Sequence, residues 1–239
     1  MFNKGVAVVK AVEVARRGIC QMIASGELKP GQRLPGEVEL SVRLGVSRGS
    51  LREAQRMLAV AGVLDPSGRP LVSDMSAANL MTGLAMVVPL LPLERLLELF
   101  PLREVLEGHL AAQATARMSE QDIDLLEQMA DEVTQCDPSD PRTLELDHAF
   151  HSYLIAAGGD TMIGALLETI HRRGGDYCVF NGVGAREFKM ASDQGHRRLV
   201  AAMRARDPEG AKAIMIEHIR NTRYRLEQMF LESNSSVCR

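Results

Sequence analysis

Four side chains in the second half of this chain could together do chemistry that none could do alone. Leu144, Asp147, His151 and Leu154 fall on one helical stripe, so Asp147 and His151, four residues apart, project from the same apolar side. Phe188, Ser192, His196, Leu199 and Met203 make a second stripe, and Ile214, His218, Thr222 and Leu226 a third. Three inward faces thus each carry a His, and one also carries a carboxylate. Burying one imidazole needs only a hydrogen bond, and taken singly each His reads as an ordinary core residue. Burying three with a carboxylate is costly unless they share a partner. A divalent cation is the simplest such partner. Asp oxygen and His nitrogen suit Zn²⁺, with Ni²⁺ or Mn²⁺ as alternatives.

A second set lies near the start. Ser47-Arg48-Gly49-Ser50-Leu51-Arg52 puts two guanidiniums and two hydroxyls beside a small glycine. Arg pairs bidentately with guanine O6 and N7, and Ser reaches a base edge or a phosphate. On periodicity alone a solvated Arg face on a plain three-helix bundle explains the pattern equally well.

The elements that must position these groups follow from the apolar pattern. Val9, Val12, Ile19, Met22 and Ile23 give a first helix ending near Ser25-Gly26, and Lys29-Pro30-Gly31 is a turn. A short helix runs from about Gly36 to Leu44, Gly45-Val46 breaks it, and Ser47 is the N-cap of the next, whose apolar face is Leu51, Ala54, Leu58 and Ala61. Two short helices with a tight Gly-containing turn form a helix-turn-helix, and contacts to bases come from the start of the second. Residues 63–65 and 69–72 flank Pro66-Ser67-Gly68 as a hairpin wing. After a linker over 73–79, helices are predicted at 93–117, 120–135, 141–157, 161–173, 185–205 and 208–232, the last opened by Asp207-Pro208. The run Met75 to Leu93, interrupted by Pro89 and Pro92, reads as linker plus a buried segment that does not enter a membrane. The fold class is mainly α: a winged helix-turn-helix over 1–75 and an all-helical bundle over 76–239.

Composition supports this division. With 46% apolar and 25% charged residues, no Trp and few aromatics, the core must be built from aliphatic side chains and Met, which suits helix packing. Residues 1–75 carry 11 Lys/Arg against 7 Asp/Glu, and the remainder 17 against 24, so only the head is suited to a polyanion. Cys20, Cys136, Cys178 and Cys238 are isolated, which argues against a zinc knuckle or redox pair. Lys10, Glu13, Arg16 and Arg17 interrupt any signal-peptide core, and a cytoplasmic location is expected.

The head resembles the GntR family of bacterial regulators. The resemblance rests on residues 23–35, Glu39-Leu40, Leu44-Gly45-Val46-Ser47-Arg48, Leu51-Arg52-Glu53-Ala54, Leu58 and Gly62, in order and at matching spacing. It implies a homodimer on double-stranded operator DNA, contacted by Ser47, Arg48, Gly49, Ser50 and Arg52, by Gly68 at the wing tip, and by Arg33 at a phosphate. Val38 departs from relatives that carry an Arg there, and Arg69-Pro70 replaces the usual second wing glycine.

Asp147-His148-Ala149-Phe150-His151 with Ala156-Ala157-Gly158, and Gly195-His196-Arg197 through Glu217-His218, resemble the FCD sensor domain of the FadR-like branch. That resemblance implies a metal held by Asp147, His151, His196 and His218 at the floor of an effector cavity. His109, His148 and His171 match no ligand position and read as structural or exposed. Gly159-Asp160 and Gln194 depart from the family without removing a ligand. Arg103, among Leu99, Leu106 and Leu110, reads either as a snorkelling Arg paired with a Glu or, by the resemblance, as the clamp for an effector carboxylate. Pro101 is expected to kink its helix. The resulting expectation is a repressor released by a small organic acid. The competing readings are a metal-dependent enzyme fused to a DNA-binding head and a regulator whose metal is purely structural. No H-E-x-x-H, no G-x-S-x-G and no base beside the His set supports the enzyme.

Overall fold

The computed structural model describes residues 3–174 and 179–237. By its contacts the chain forms two compact units, Met1–Met86 and Val87–Arg239.

In the first unit, α1 (Asn3–Ala24), α2 (Glu37–Leu44) and α3 (Arg48–Val60) pack around Ile19, Leu40, Leu51 and Ala54, all fully buried. Burying one such aliphatic side chain contributes roughly 1.5–3 kcal/mol. Gly45 sits at φ +64, the left-handed turn that ends α2, and its N–H closes onto Ser41 and Val42 carbonyls. Ser47 then caps α3 by accepting from Ser50 N–H at 3.0 Å. The wing is a two-stranded antiparallel hairpin, β1 (Leu64–Asp65) and β2 (Leu71–Val72), paired Leu64 to Val72 and Asp65 to Leu71.

The segment after the wing departs from the expected linker. Residues 77–87 form two short helices, α4 (Ala77–Leu80) and α5 (Thr82–Val87), followed by a 3₁₀ turn over Val88–Leu90. Contacts group residues 77–86 with the head, where the expected boundary was 75/76. Gly62 shows the reason: at φ +73 it lies so close to α4 that a Cβ would collide with the Asn79 carbonyl. Val88 is the one buried residue between Met75 and Leu93, so most of that apolar run is not a buried segment.

The second unit contains α6 (Leu93–Leu97), α7 (Phe100–Arg117), α8 (Glu120–Gln135), α9 (Arg142–Gly158), α10 (Thr161–Gly174), α11 (Ala185–Arg204) and α12 (Pro208–Val237). The helix expected over 93–117 is broken at Glu98-Leu99. Pro101 lies in the first turn of α7, where its missing N–H and fixed φ are tolerated, so it starts a helix and does not kink one. Ser119 and Asp122 form a capping box at α8. α12 lies along α7 and α11, α9 packs on α7 and α8, and α11 on α8. Gly108 permits the close crossing of α7 and α12, since a Cβ there would stand 3.0 Å from Ile216. Phe100, Phe150, Leu154, Leu199, Met203 and Met215 fill the centre. No described helix is long and apolar enough to cross a membrane.

Candidate functional site

The inward stripes of α9, α11 and α12 converge at one point. His151 Nε2 lies 3.1 Å from His218 Nε2 and 3.4 Å from His196 Nε2, and Asp147 Oδ1 lies 3.5 Å from His196 Nε2. All three histidines are buried, and the Asp147 side chain is 18% exposed. Phe150 packs on His196, with ring centroids 4.3 Å apart. Gly195 gives His218 its room: a Cβ there would stand 2.9 Å from His218 Nδ1.

The donor set fits a cation. An ion about 2.1 Å from four tetrahedral donors holds those donors about 3.4 Å apart, close to the separations found. Burial holds His151 and His196 well below the usual imidazole range, reinforced by the neighbouring His218, and pushes His218 down to about 4. The three rings are therefore neutral near pH 7, as metal ligation requires. Burial also pushes Asp147 up to about 7, with Asp193 adding to it, and a bound cation would reverse that shift. Asp147 Oδ1, His151 Nδ1, His196 Nδ1 and Glu107 Oε2 are sealed from solvent and have no hydrogen-bond partner among the described residues. His151, His196 and His218 are the one group of three or more such side chains close enough to share a metal among those residues.

The cluster forms one wall of a cavity of about 400 Å³ that Arg103, His148, His171, Leu144 and Val179 also line. Arg103 donates through Nε to Glu107 Oε1 at 2.7 Å and lies over the Phe100 ring, 4.7 Å from its centre. Arg103 is thus paired with a Glu, and it also lines the cavity. Glu107 is fully buried, and its Oε1 also stands 2.9 Å from His171 Nε2. Burial alone would push the Glu107 carboxyl up, but Arg103 and then His171 outweigh it and hold it below the usual carboxylate range. His148 is half-buried at the cavity, 3.6 Å from Glu168, and His109 is exposed. The apolar stripes do not single out Glu107, although it follows Arg103 by four residues, the spacing of a helical ion pair.

Behind α11, Lys189 Nζ donates to both oxygens of Asp193 and to the Val133 carbonyl, each at 2.8 Å, with the side chains 5% and 8% exposed. Nothing in the apolar pattern of α11 announces this pair.

In the head, Ser47, Arg48 and Gly49 are exposed at the start of α3. Arg48 makes no hydrogen bond or ion pair among the described residues. Arg52 is exposed but held by Glu37 at 2.9–3.0 Å, and the Arg33 guanidinium donates to the Arg69 carbonyl at 3.0 Å, bracing the wing. Ser50 is buried, 6% exposed, with its hydroxyl 3.0 Å from that of Ser47. Gly68 sits at the exposed wing tip at φ +75. Val38 is exposed on α2. Cys20 and Cys136 are free thiols, and Cys178 and Cys238 lie outside the described residues.

Residues 98–221 match the FCD domain family, and residues 11–68 match the family described as bacterial regulatory proteins, gntR family. The chain is 26% identical to the Glc operon transcriptional activator of Escherichia coli K12, over 94% of this chain and 92% of that one. It is 24% identical to the HTH-type transcriptional regulator LutR of Bacillus subtilis, over 89% and 99%. Among solved structures, a GntR protein of Streptococcus agalactiae superposes with a TM-score of 0.57 at 28% identity, covering 89% of this chain and 99% of that one.

Proposed function

The chain belongs to the GntR family of DNA-binding transcription regulators, with an FCD domain, and is not an enzyme; from that premise we propose that a small organic acid, bound in the 400 Å³ cavity at a divalent metal, controls its affinity for operator DNA. The observation that carries this reading is the convergence of three imidazole nitrogens and one carboxylate oxygen on a cavity that a guanidinium also lines. Asp147, His151, His196 and His218 would hold the metal, with Zn²⁺ the first expectation and Ni²⁺ or Mn²⁺ the alternatives. Bound there, the ion supplies a positive centre for a carboxylate oxygen.

The remaining steps belong to the chain's own residues. Arg103 engages Glu107 through Nε, which leaves its two terminal nitrogens for a carboxylate in the cavity. Val179, Leu144 and Leu226 give the cavity its apolar walls. Because Arg103 is already tied to Glu107, its fork is oriented before an acid arrives, which lowers the ordering cost of binding. In the head, Arg48 reads base edges, with Ser47 and Gly49 beside it and Arg33, Arg52 and Gly68 along the phosphates. The protein binds double-stranded operator as a homodimer and represses, and the acid releases it. That release requires the acid to favour one arrangement of the protein over another.

The test is a thermal-melt screen against small organic and sugar acids, with and without chelator, followed by operator binding with each acid that shifts the melt. Acid-specific stabilisation that disappears with chelator and weakens DNA binding is expected. A large drop with chelator and no response to any acid would make the metal structural. Tighter DNA binding with the acid would overturn release by the acid.

A further inference from the structure

The His cluster is approached from two sides, and we propose that His218 is a gate through which metal ions enter and leave from the side away from the effector cavity. This rests on the metal reading above. A second, smaller cavity of about 90 Å³ lies against His218, lined by Gln194, Gly195, Arg198, Glu217 and Asn221 among others. It has room for about three waters at the volume each takes in the liquid. Among the described residues, His218 is the one that lines both cavities.

The three rings differ in how they are enclosed. His151 Nδ1 and His196 Nδ1 are sealed from solvent without a partner. His218, by contrast, is 9% exposed and lines the small cavity, and no hydrogen bond is made by its Nδ1 among the described residues. The same nitrogen lies where a Cβ on residue 195 would crowd it at 2.9 Å. A glycine at this point of α11 lets the ring edge rest against the backbone, with Nε2 toward the cluster and Nδ1 toward the small cavity. Turning this ring breaks one ligand bond and opens the cluster to the small cavity, while His151, His196 and Asp147 keep their places.

The walls of that cavity suit an ion in transit. Gln194 and Asn221 offer amide oxygens. The Glu217 carboxylate is exposed and is offset by Arg198, which pairs with it at 2.9 Å, so it can take up a cation briefly without trapping it. The functional consequence is that an acid seated in the large cavity does not lock the metal in. The regulator stays in exchange with the surrounding metal pool whether or not its effector is bound.

The experiment uses the full chain loaded with Co²⁺, whose visible spectrum reports nitrogen and oxygen ligation. Release to EDTA is followed at chelator concentrations where the rate no longer depends on EDTA. Asn221→Phe fills the small cavity from α12, and Gln194→Phe fills it from α11, so the result does not hang on one variant folding. Leu144→Phe narrows the large cavity as the control. Both plugs of the small cavity should keep the spectrum and the equilibrium affinity while slowing release by roughly tenfold or more, equivalent to about 1.4 kcal/mol on the barrier. Leu144→Phe should release at the parent rate. Parent-rate release from both plugged variants, with normal spectra, would overturn the gate and leave the metal site standing. A parent protein that takes up no Co²⁺ with His ligation would instead overturn the metal reading, and the gate with it.

Discussion

Both units pair ionic side chains at the surface, but among the described residues only the helical unit also buries them. In the head, Arg16 and Arg17 with Glu13, Arg43 with Glu27, Arg52 with Glu37, and Arg56 with Glu53 all pair at the surface. The helical unit has surface pairs too, such as Arg198 with Glu217 and Arg204 with Asp124, but in addition Arg103, Glu107 and His171 meet in its interior, as do Lys189 and Asp193. Surface pairs are screened and contribute little. An arginine held that loosely can exchange a Glu for a phosphate at small cost. Buried charges cannot be left alone, so they tie function to folding. The head can therefore lose its function without unfolding, whereas in the helical unit a change to the site is also a change to stability.

The sharpest break between the units should come from removing one partner of each kind of pair. Lys189→Ala leaves Asp193 buried without its cation and should cost about 3–5 kcal/mol in urea denaturation. Arg52→Ala leaves Glu37 at the surface and should cost under about 1 kcal/mol. Similar small losses from both would mean that the interior pair is hydrated, and the contrast would fail.

Acid should separate the units next. All six histidines lie in the second unit and none in the head. Burial pushes His218 down to about 4. Between roughly pH 6.5 and 4 the unfolded chain holds a proton on this residue that the folded chain does not, so its contribution is present above pH 6.5 and is lost as pH falls to about 4. For this residue alone that is on the order of 3 kcal/mol. His151 and His196 act in the same direction. Asp147 opposes them: raised to about 7, it favours the folded state at low pH and loses that contribution as pH rises toward 7. Three imidazoles against one carboxyl give a net loss on acidification. Metal-free protein should melt at falling temperature from pH 7 to 4.5, and His218→Asn should flatten that slope. A parent slope of the opposite sign would show that Asp147 dominates.

Glycines extend the comparison at a smaller scale. A Cβ at Gly49 meets only Ser47 Oγ at 3.7 Å, whereas one at Gly195 presses His218 Nδ1 at 2.9 Å. Gly195→Ala should weaken Co²⁺ binding by about 10–100-fold, the range typical of lost support around a metal ligand. Gly49→Ala, in open space on a helix, should hold or slightly raise the melting temperature. Equal Co²⁺ affinity in Gly195→Ala would show that His218 tilts away freely.

The sequence exposed what is local and periodic. Ser47 could be read as a cap because capping needs one side chain and the next turn of backbone. Asp147, His151, His196 and His218 could be read as facing inward because 3.6-residue periodicity fixes the face. What joins the four is a crossing of α9, α11 and α12, and no stripe encodes a crossing. Glu107 reaches His171 across 64 residues and Lys189 reaches the Val133 carbonyl across 56, so both contacts exist only after the helices pack. Pro101 misled for the opposite reason: its local meaning depends on where the helix begins, and the break at Glu98-Leu99 moves it into the first turn, where it is favourable. Met75 to Leu93 misled because apolar composition alone does not say that a segment is covered.

The smallest effect on stability and the clearest separation of function belong to Arg48. It is exposed, makes no ion pair among the described residues, and stands at the start of α3 beside an open Gly49. Arg48→Ala should change stability by less than about 0.5 kcal/mol, yet cost about 1–3 kcal/mol of preference for operator over scrambled DNA in a fluorescence-anisotropy titration. Arg52 supplies the matched control on the same helix. Its guanidinium is held by Glu37, so Arg52→Ala should weaken operator and scrambled DNA alike, and Glu37→Gln, which frees it, should tighten both. If Arg48→Ala instead weakened both sequences equally, Arg48 would be a phosphate contact like Arg52. Base reading would then have to come from elsewhere on the exposed start of α3, and the nearest candidate is the Ser47 hydroxyl, which already caps the helix.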